Sequence, residues 1–280
     1  MRIAIASGKG GTGKTLIATS LAVHWAKQGK AVTYVDVDVE EPNGHLFLRP
    51  TFEKTTRYTV PVPRLAGFCD GCAKCQDACA FNAIIALKER VQVFDELCHS
   101  CGACVKACPH NSLKLQPREL GDLRHGMARN INFIDGLLDV GEARATPLIE
   151  GVVEAADGEL VIIDSPPGAS CPAVTAIRGA DIAVLITEPT LFGVHDLDLA
   201  VQVCQKLNVP PIIVLNRANL GGDMMDAIKA TGAPLVAQID FDPQISVATA
   251  RGELAIDVVP GFADAIANIA NAIVASEVVS

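Results

Sequence analysis

Residues 8–15 read Gly8-Lys9-Gly10-Gly11-Thr12-Gly13-Lys14-Thr15, a match to GxxxxGK(S/T). The apolar run Arg2–Ser7 precedes it, and Lys14–Gln28, with a helix-forming composition, follows. That placement between strand and helix restricts the fold more than any other feature. Glycines let backbone N–H groups curl around an oxyanion, and the following helix offers its positive N-terminus. Gly8, Gly10, Gly11, Thr12 and Gly13 are therefore the candidate phosphate cradle. Lys14 supplies a point charge for the β- and γ-phosphates, and the Thr15 hydroxyl is a candidate Mg²⁺ ligand. Gly29 stands where a helix C-cap glycine belongs, and Ala31–Asp36 reads as the next strand, which completes a βαβ unit.

Eight of the ten cysteines fall between Cys69 and Cys108. The first run is Cys69-x2-Cys72-x2-Cys75-x3-Cys79; the second is Cys98-x2-Cys101-x2-Cys104-x3-Cys108-Pro109. Zinc ribbons use two cysteines per knuckle, whereas each run here has four with asymmetric spacing, and the pattern occurs twice. Three cysteines of a run wrap one face of an iron–sulfur cubane, and the fourth reaches the other cluster. The expected ligand sets are Cys69, Cys72, Cys75 and Cys108 for one 4Fe-4S cluster, and Cys98, Cys101, Cys104 and Cys79 for the second. Over residues 60–117 the segment resembles bacterial two-cluster ferredoxins, with Ala80 where such proteins often have proline.

On either side of this segment the pattern is α/β. Strand-like runs lie at 132–135, 160–164, 182–187, 211–216 and 235–239, with helix candidates near 172–179, 194–208, 221–231, 243–251 and 262–276. The expected organisation is a P-loop α/β domain, doubly wound on a mostly parallel sheet, in two parts (1–58 and 119–280). A small α+β ferredoxin-like module fills 59–118. Val60-Pro61-Val62-Pro63 is read as a stiff extended entry, and Gln116-Pro117-Arg118 as the exit.

The loop's extra lysine gives KGGTGKT, which resembles the deviant Walker A motif of the MinD, ParA, Mrp and nitrogenase-iron-protein group. The resemblance spans residues 1–50 and 119–280. It implies ATP as the nucleotide, and a nucleotide-dependent homodimer in which Lys9 reaches the partner's phosphates. It places Asp36 and Asp38 at the acidic positions that order Mg²⁺ and the attacking water, and makes Lys9, Lys14 and Asp38 the candidate catalytic residues. Leu160–Gly168 resembles Walker B running into switch II, with Asp164 on the Mg²⁺ shell. Val214-Leu215-Asn216-Arg217 resembles the base-reading loop, with Asn216 on adenine. GTPases need an aspartate three residues after that asparagine, and Asn219 stands there. At Cys171, after switch II, the resemblance implies a position near a dimer axis; Cys204 reads as packed within a helix.

A net charge of −9 makes nucleic acid and anionic membrane surfaces poor partners. Residues 262–280 have no Lys or Arg, unlike the basic terminal helix of MinD, so Phe262, Ile266, Ile269 and Ile273 are expected on the sheet rather than in lipid. Met1-Arg2 leads straight into a strand, leaving no room for a signal-peptide apolar region, and the expected location is cytoplasmic. The combination suggests an ATPase coupled to electron exchange with a redox partner protein. Its rivals are a redox-sensing positioning switch and an iron–sulfur carrier of the Mrp type.

Overall fold

The computed structural model describes residues 1–277; the last three residues of the expected 119–280 segment lie outside the described residues. The chain forms β1 (Arg2–Ala6), α1 (Lys14–Lys27), β2 (Val32–Asp36), α2 (Gly44–Leu48), β3 (Thr51–Leu65), α3 (Lys74–Asp77), β4 (Ile84–Leu87), β5 (Arg90–Val93), α4 (Ala103–Ala107), β6 (Leu113–Ala128) and β7 (Ile131–Leu138). It continues through α5 (Ala145–Ala155), β8 (Leu160–Asp164), α6 (Cys171–Ile177), β9 (Ile182–Thr187), α7 (Leu191–Leu207), β10 (Pro211–Asn216), α8 (Met225–Ala230), β11 (Leu235–Ile239), α9 (Pro243–Ala250), α10 (Ala255–Val258) and α11 (Pro260–Glu277).

Two compact units result. The larger contains residues 1–56, 123–137 and the chain from Leu148; the smaller is Arg57–Asp122 with Leu138–Pro147. The main sheet runs β11-β10-β9-β1-β8-β2-β7-β6-β3. From β11 to β7 all neighbouring strands pair in parallel. Strands such as Leu160–Asp164 and Ile182–Thr187 are buried throughout, which is why they read as unbroken apolar runs. One register has a consequence for the site: Asp36 and Asp164, the last residues of β2 and β8, stand side by side, and Asp135 within β7 is in register with Asp36.

β6 and β7 are joined by Arg129-Asn130, both with positive φ (51° and 63°). That is the backbone of a two-residue type I′ turn, so this pair is an antiparallel hairpin. Gln116-Pro117-Arg118, expected to close the cysteine segment, instead lies within β6. Extended backbone continues through it, so composition alone misplaced that break. Pro61 and Pro63 fall on β3, the last strand of the order, and edge strands are where proline within a sheet is tolerated.

Helix α1 ends as expected at Gly29 (φ 79°). The Gly29 N–H donates to the Ala26 carbonyl and that of Lys30 to Trp25, at 3.0 and 3.1 Å, the Schellman arrangement. Along α11, Phe262, Ile266, Ile269 and Ile273 are at most 2% exposed and join the core beneath β1, β8 and α1. Burial in the protein is what their helical spacing serves. No helix among the described residues is long and apolar enough to cross a membrane.

Candidate nucleotide site and cysteine hollows

In the larger unit the loop between β1 and α1 is folded as its glycines require. Gly11 and Gly13 have φ of 77° and 97°. A Cβ on Gly13 would lie 2.6 Å from the Asn216 side chain, and one on Gly8 would lie 2.4 Å from Asp196. Gly10, Gly11, Gly13, Lys14 and Thr15 line a cavity of about 670 Å³, together with Asp38, Asn216, Arg217 and the 240–250 segment. That volume is in the range of small-molecule and cofactor sites.

Lys14 is 8% exposed. Burial lowers its affinity for a proton, while Asp164, Asp38 and Asp36 oppose that shift. Asp164 accepts a 2.8 Å hydrogen bond from the Tyr34 hydroxyl at Oδ2. Its Oδ1 is buried without a protein hydrogen-bond partner. Burial pushes this carboxyl up to about 6, with the Thr15 and Tyr34 hydroxyls and Lys14 working the other way. An orphaned carboxylate oxygen beside a hydroxyl, at the end of a phosphate loop, fits a divalent cation with oxygen ligands. Thr15 and Asp164 are thus brought together, as Mg²⁺ binding requires.

Asp36 is tied to the backbone. It is fully buried; Oδ1 accepts from the Asp38 N–H at 3.1 Å, and Oδ2 from Asn43 and Gly44 at 3.0 and 2.8 Å. Its carboxylate organises the 38–44 loop, and its charge also acts on Lys14. Asp38, half-buried, faces the cavity instead. We expect Asp38→Ala to cut ATP turnover about a hundredfold while shifting stability by no more than about 0.5 kcal/mol. Asp36→Ala leaves three N–H groups, one of them buried and two part-buried, without their acceptor and should cost about 2 kcal/mol. Urea unfolding and steady-state turnover of both variants check this division of labour.

Asn216, on the cavity wall, also braces the loop. Its Nδ2 donates to the Thr12 carbonyl at 2.7 Å, and its Oδ1 accepts from the Arg217 N–H at 3.0 Å. Lys9 lies outside the described residues that line the cavity; its Nζ is 2.7 Å from Glu188 Oε2.

Sequence reading missed several residues here. Glu188 follows the apolar strand β9, and a charge at a strand's carboxyl end was the available signal. Asp135, the third of the aligned aspartates, is fully buried and held by Arg124 through two bonds of 2.8 and 2.6 Å. The Arg124 guanidinium stacks 4.5 Å over Phe52. Tyr34 gave no sequence signal beyond being an aromatic in a buried strand.

In the smaller unit the two cysteine runs repeat in three dimensions. At an interval of twenty-nine residues, Gly71 and Ser100, Ala73 and Gly102, and Asn82 and Asn111 all take the left-handed conformation. Alternation with right-handed residues turns successive N–H groups towards an anionic centre. The Ala83 N–H donates to Cys79 Sγ at 3.2 Å. At the equivalent place, backbone N–H groups of Ser112, His110, Leu113 and Asn111 outweigh burial to lower the Cys108 thiol's pKa.

Cys69, Cys72, Cys75 and Cys108 line one hollow. Cys79, Cys98, Cys101 and Cys104 line another. All eight are free thiols. Among the described residues no three His, Cys, Asp or Glu side chains converge on a point suited to one metal ion. Each hollow has an aromatic pair at its wall: Phe68 with His110, and Phe81 stacked on His99 at 3.7 Å between centroids. Outside this unit, Cys171 is the exposed first residue of α6, and Cys204 is buried in α7 with its thiol pushed up to about 11.

The sequence matches the model of the CobQ/CobB/MinD/ParA nucleotide binding domain over residues 3–256. It is 35% identical over 224 residues to the Methanocaldococcus jannaschii protein MJ0578, covering 79% of each chain. It is 24% identical to the septum site-determining protein MinD of Helicobacter pylori, across 90% of this chain and 82% of that one. In fold it is similar to Pyrococcus horikoshii MinD complexed with Mg-ADP, with a TM-score of 0.60 and 22% identity, covering 97% and 95% of the two chains.

Proposed function

The chain belongs to the CobQ/CobB/MinD/ParA nucleotide-binding family, and from that premise we propose an ATPase whose nucleotide cycle is coupled to electron transfer through two 4Fe-4S clusters. One observation carries the reading: a chain with a phosphate-loop cavity also sorts its eight clustered cysteines into two sets of four, each set borrowing the fourth cysteine of the other run.

For the nucleotide half, Lys14 would neutralise the β- and γ-phosphates, Thr15 and Asp164 would hold Mg²⁺, and Asp38 would face the attacking water. Pyrococcus horikoshii MinD was solved with Mg-ADP, which supports the same ligand here. ATP is favoured over GTP because Asn219 occupies the place where a guanine-reading aspartate would stand. Its Oδ1 instead accepts from the Phe241 N–H at 2.7 Å. A nucleotide-dependent homodimer, with Lys9 serving the partner's phosphates, completes this half.

For the redox half, four cysteines at each hollow, three from one run and one from the other, match the crossed ligand sets of a two-cluster arrangement. The N–H donors turned towards Cys79 and Cys108 suit anionic sulfur. Such clusters supply one-electron transfer at low potential. What the protein adds is eight thiolates, N–H donors to the sulfurs, and small apolar neighbours such as Ala83 and Ala86. A soluble redox protein is the proposed partner.

MgATP is expected to shift the midpoint potential of at least one cluster, or its rate of reduction by the partner, relative to MgADP. Redox titrations followed by electron paramagnetic resonance, with each nucleotide and with none, test this. Superimposable curves with unchanged partner kinetics would leave a positioning switch as the better reading.

A further inference from the structure

The P-loop lysine Lys9 and the cavity-wall residue Arg217 meet on one carboxylate. Glu188 ends the β9 region; its Oε2 is 2.7 Å from Lys9 Nζ and its Oε1 2.5 Å from Arg217 NH1. The Glu188 side chain is 12% exposed, against 31% for Lys9 and 44% for Arg217. The carboxylate is therefore the shielded partner, and two cations share it. Arg217 holds a left-handed backbone conformation (φ 54°) and donates its N–H to Asn216 Oδ1, so its main chain is fixed on the cavity wall. The Ser7 hydroxyl donates to the Lys9 carbonyl at 2.6 Å, which fixes the loop backbone at Lys9. The freedom left lies in the two cationic side chains.

We infer that Glu188 is a positioning residue: it holds Lys9 in an ion pair within its own chain until a partner's phosphates compete for it. This rests on the reading of Lys9 as a lysine that serves the second copy. Without Glu188 two like charges would face each other beside an anion cavity, and Lys9 would reach a second nucleotide site with no ion pair to break. With it, the reach of Lys9 into a second nucleotide site must compete against an ion pair made at home. Arg217 weakens that pair by sharing the carboxylate, so anything that draws Arg217 towards a bound base strengthens the hold on Lys9.

Competitive acylation of nucleotide-free protein, read by mass spectrometry at Lys9 with exposed Lys206 as internal reference, tests the claim directly. Glu188→Gln should speed Lys9 modification about fivefold, the equilibrium factor of a partly exposed ion pair. Arg217→Ala should slow it, because Lys9 then has the carboxylate to itself. Equal rates in wild type and Glu188→Gln, or acceleration in both variants as a merely loosened loop would give, overturn the inference. A second arm follows turnover per chain against protein concentration. Glu188→Gln should lower the half-maximal concentration, and with it that of MgATP-dependent self-association followed by sedimentation, about fivefold, and the self-association shift should vanish in a Lys9→Ala background. A shift that survives Lys9→Ala overturns the inference. Concentration-independent turnover in the wild type would instead remove the dimer reading, while acylation still decides the role of Glu188.

Discussion

Lys14→Ala is expected to reduce ATP turnover by at least about a hundredfold, the usual loss when a preorganised charge at a reacting centre is removed. The size of the effect follows from what surrounds the ammonium. Lys14 is buried, and its charge is balanced by Asp164, Asp38 and Asp36. A triphosphate entering the cavity meets the carboxylate of Asp38 on its wall; without Lys14 the phosphates face negative charge uncompensated. Lys14→Arg keeps the charge but enlarges the head group in a closed loop, so it should restore binding only in part. Steady-state hydrolysis and equilibrium binding of a fluorescent ATP analogue separate the two consequences.

The same residues set a pH dependence. The folded-state acidity of Asp164 is shifted up to about 6 from an ordinary value of 3.8, first by burial. A group whose folded pKa is raised supports the fold fully below its unfolded pKa and loses that support as pH rises through the folded one. Stability of the nucleotide-free, Mg²⁺-free protein should therefore fall between about pH 4 and 6 from this group. Lys14→Ala removes an opposing influence and should carry the loss to higher pH. Urea midpoints between pH 4.5 and 7.5 in EDTA, for both proteins, measure it. Excess MgADP should flatten the wild-type profile, because a ligand that binds only the native state adds stability by mass action.

Much of this site could be read from residues alone, for physical reasons that differ from element to element. The phosphate loop is legible because a tight anion cradle admits few side chains: Gly13 cannot take a Cβ against Asn216. The buried strands are legible because parallel strands covered on both faces must be apolar throughout. The aspartates show the limit. Asp36 and Asp38 differ by two residues on a chain leaving a strand, and which one faces the cavity depends on where the 38–44 loop sends its N–H groups. The pairing of Lys9 with Glu188 joins positions far apart in sequence, and no local pattern encodes it. The β6–β7 hairpin was also hidden, since Arg129-Asn130 lacks the glycine that usually marks a type I′ turn. The stretch 138–147, grouped with the smaller unit, was missed because Arg144 reaches the Cys98 carbonyl across forty-six positions.

The second large effect concerns iron. Protein prepared anaerobically is expected to hold about eight iron atoms per chain, and Cys108→Ser about four, with a matching loss of acid-labile sulfide. The choice of Cys108 makes the test sharp. By sequence it belongs to the second run; by position it shares a hollow with Cys69, Cys72 and Cys75. If clusters followed the linear order of the runs, Cys108→Ser and Cys104→Ser would damage the same cluster. In the crossed arrangement they damage different ones, because Cys104 lines the hollow of Cys79, Cys98 and Cys101. Mössbauer or electron paramagnetic resonance spectra of the two single variants should then differ, each keeping the signal that the other lost. Cys104→Ser/Cys108→Ser should retain almost no iron, whereas Cys98→Ser/Cys104→Ser, with both changes in one hollow, should retain about four. Stability should follow iron content, since Cys75, Cys104 and Cys108 pack with Ile84 and Leu113 in the unit's small apolar core, and a ligand bound only in the native state stabilises it. Two zinc and negligible iron in the wild type would refute the cluster assignment.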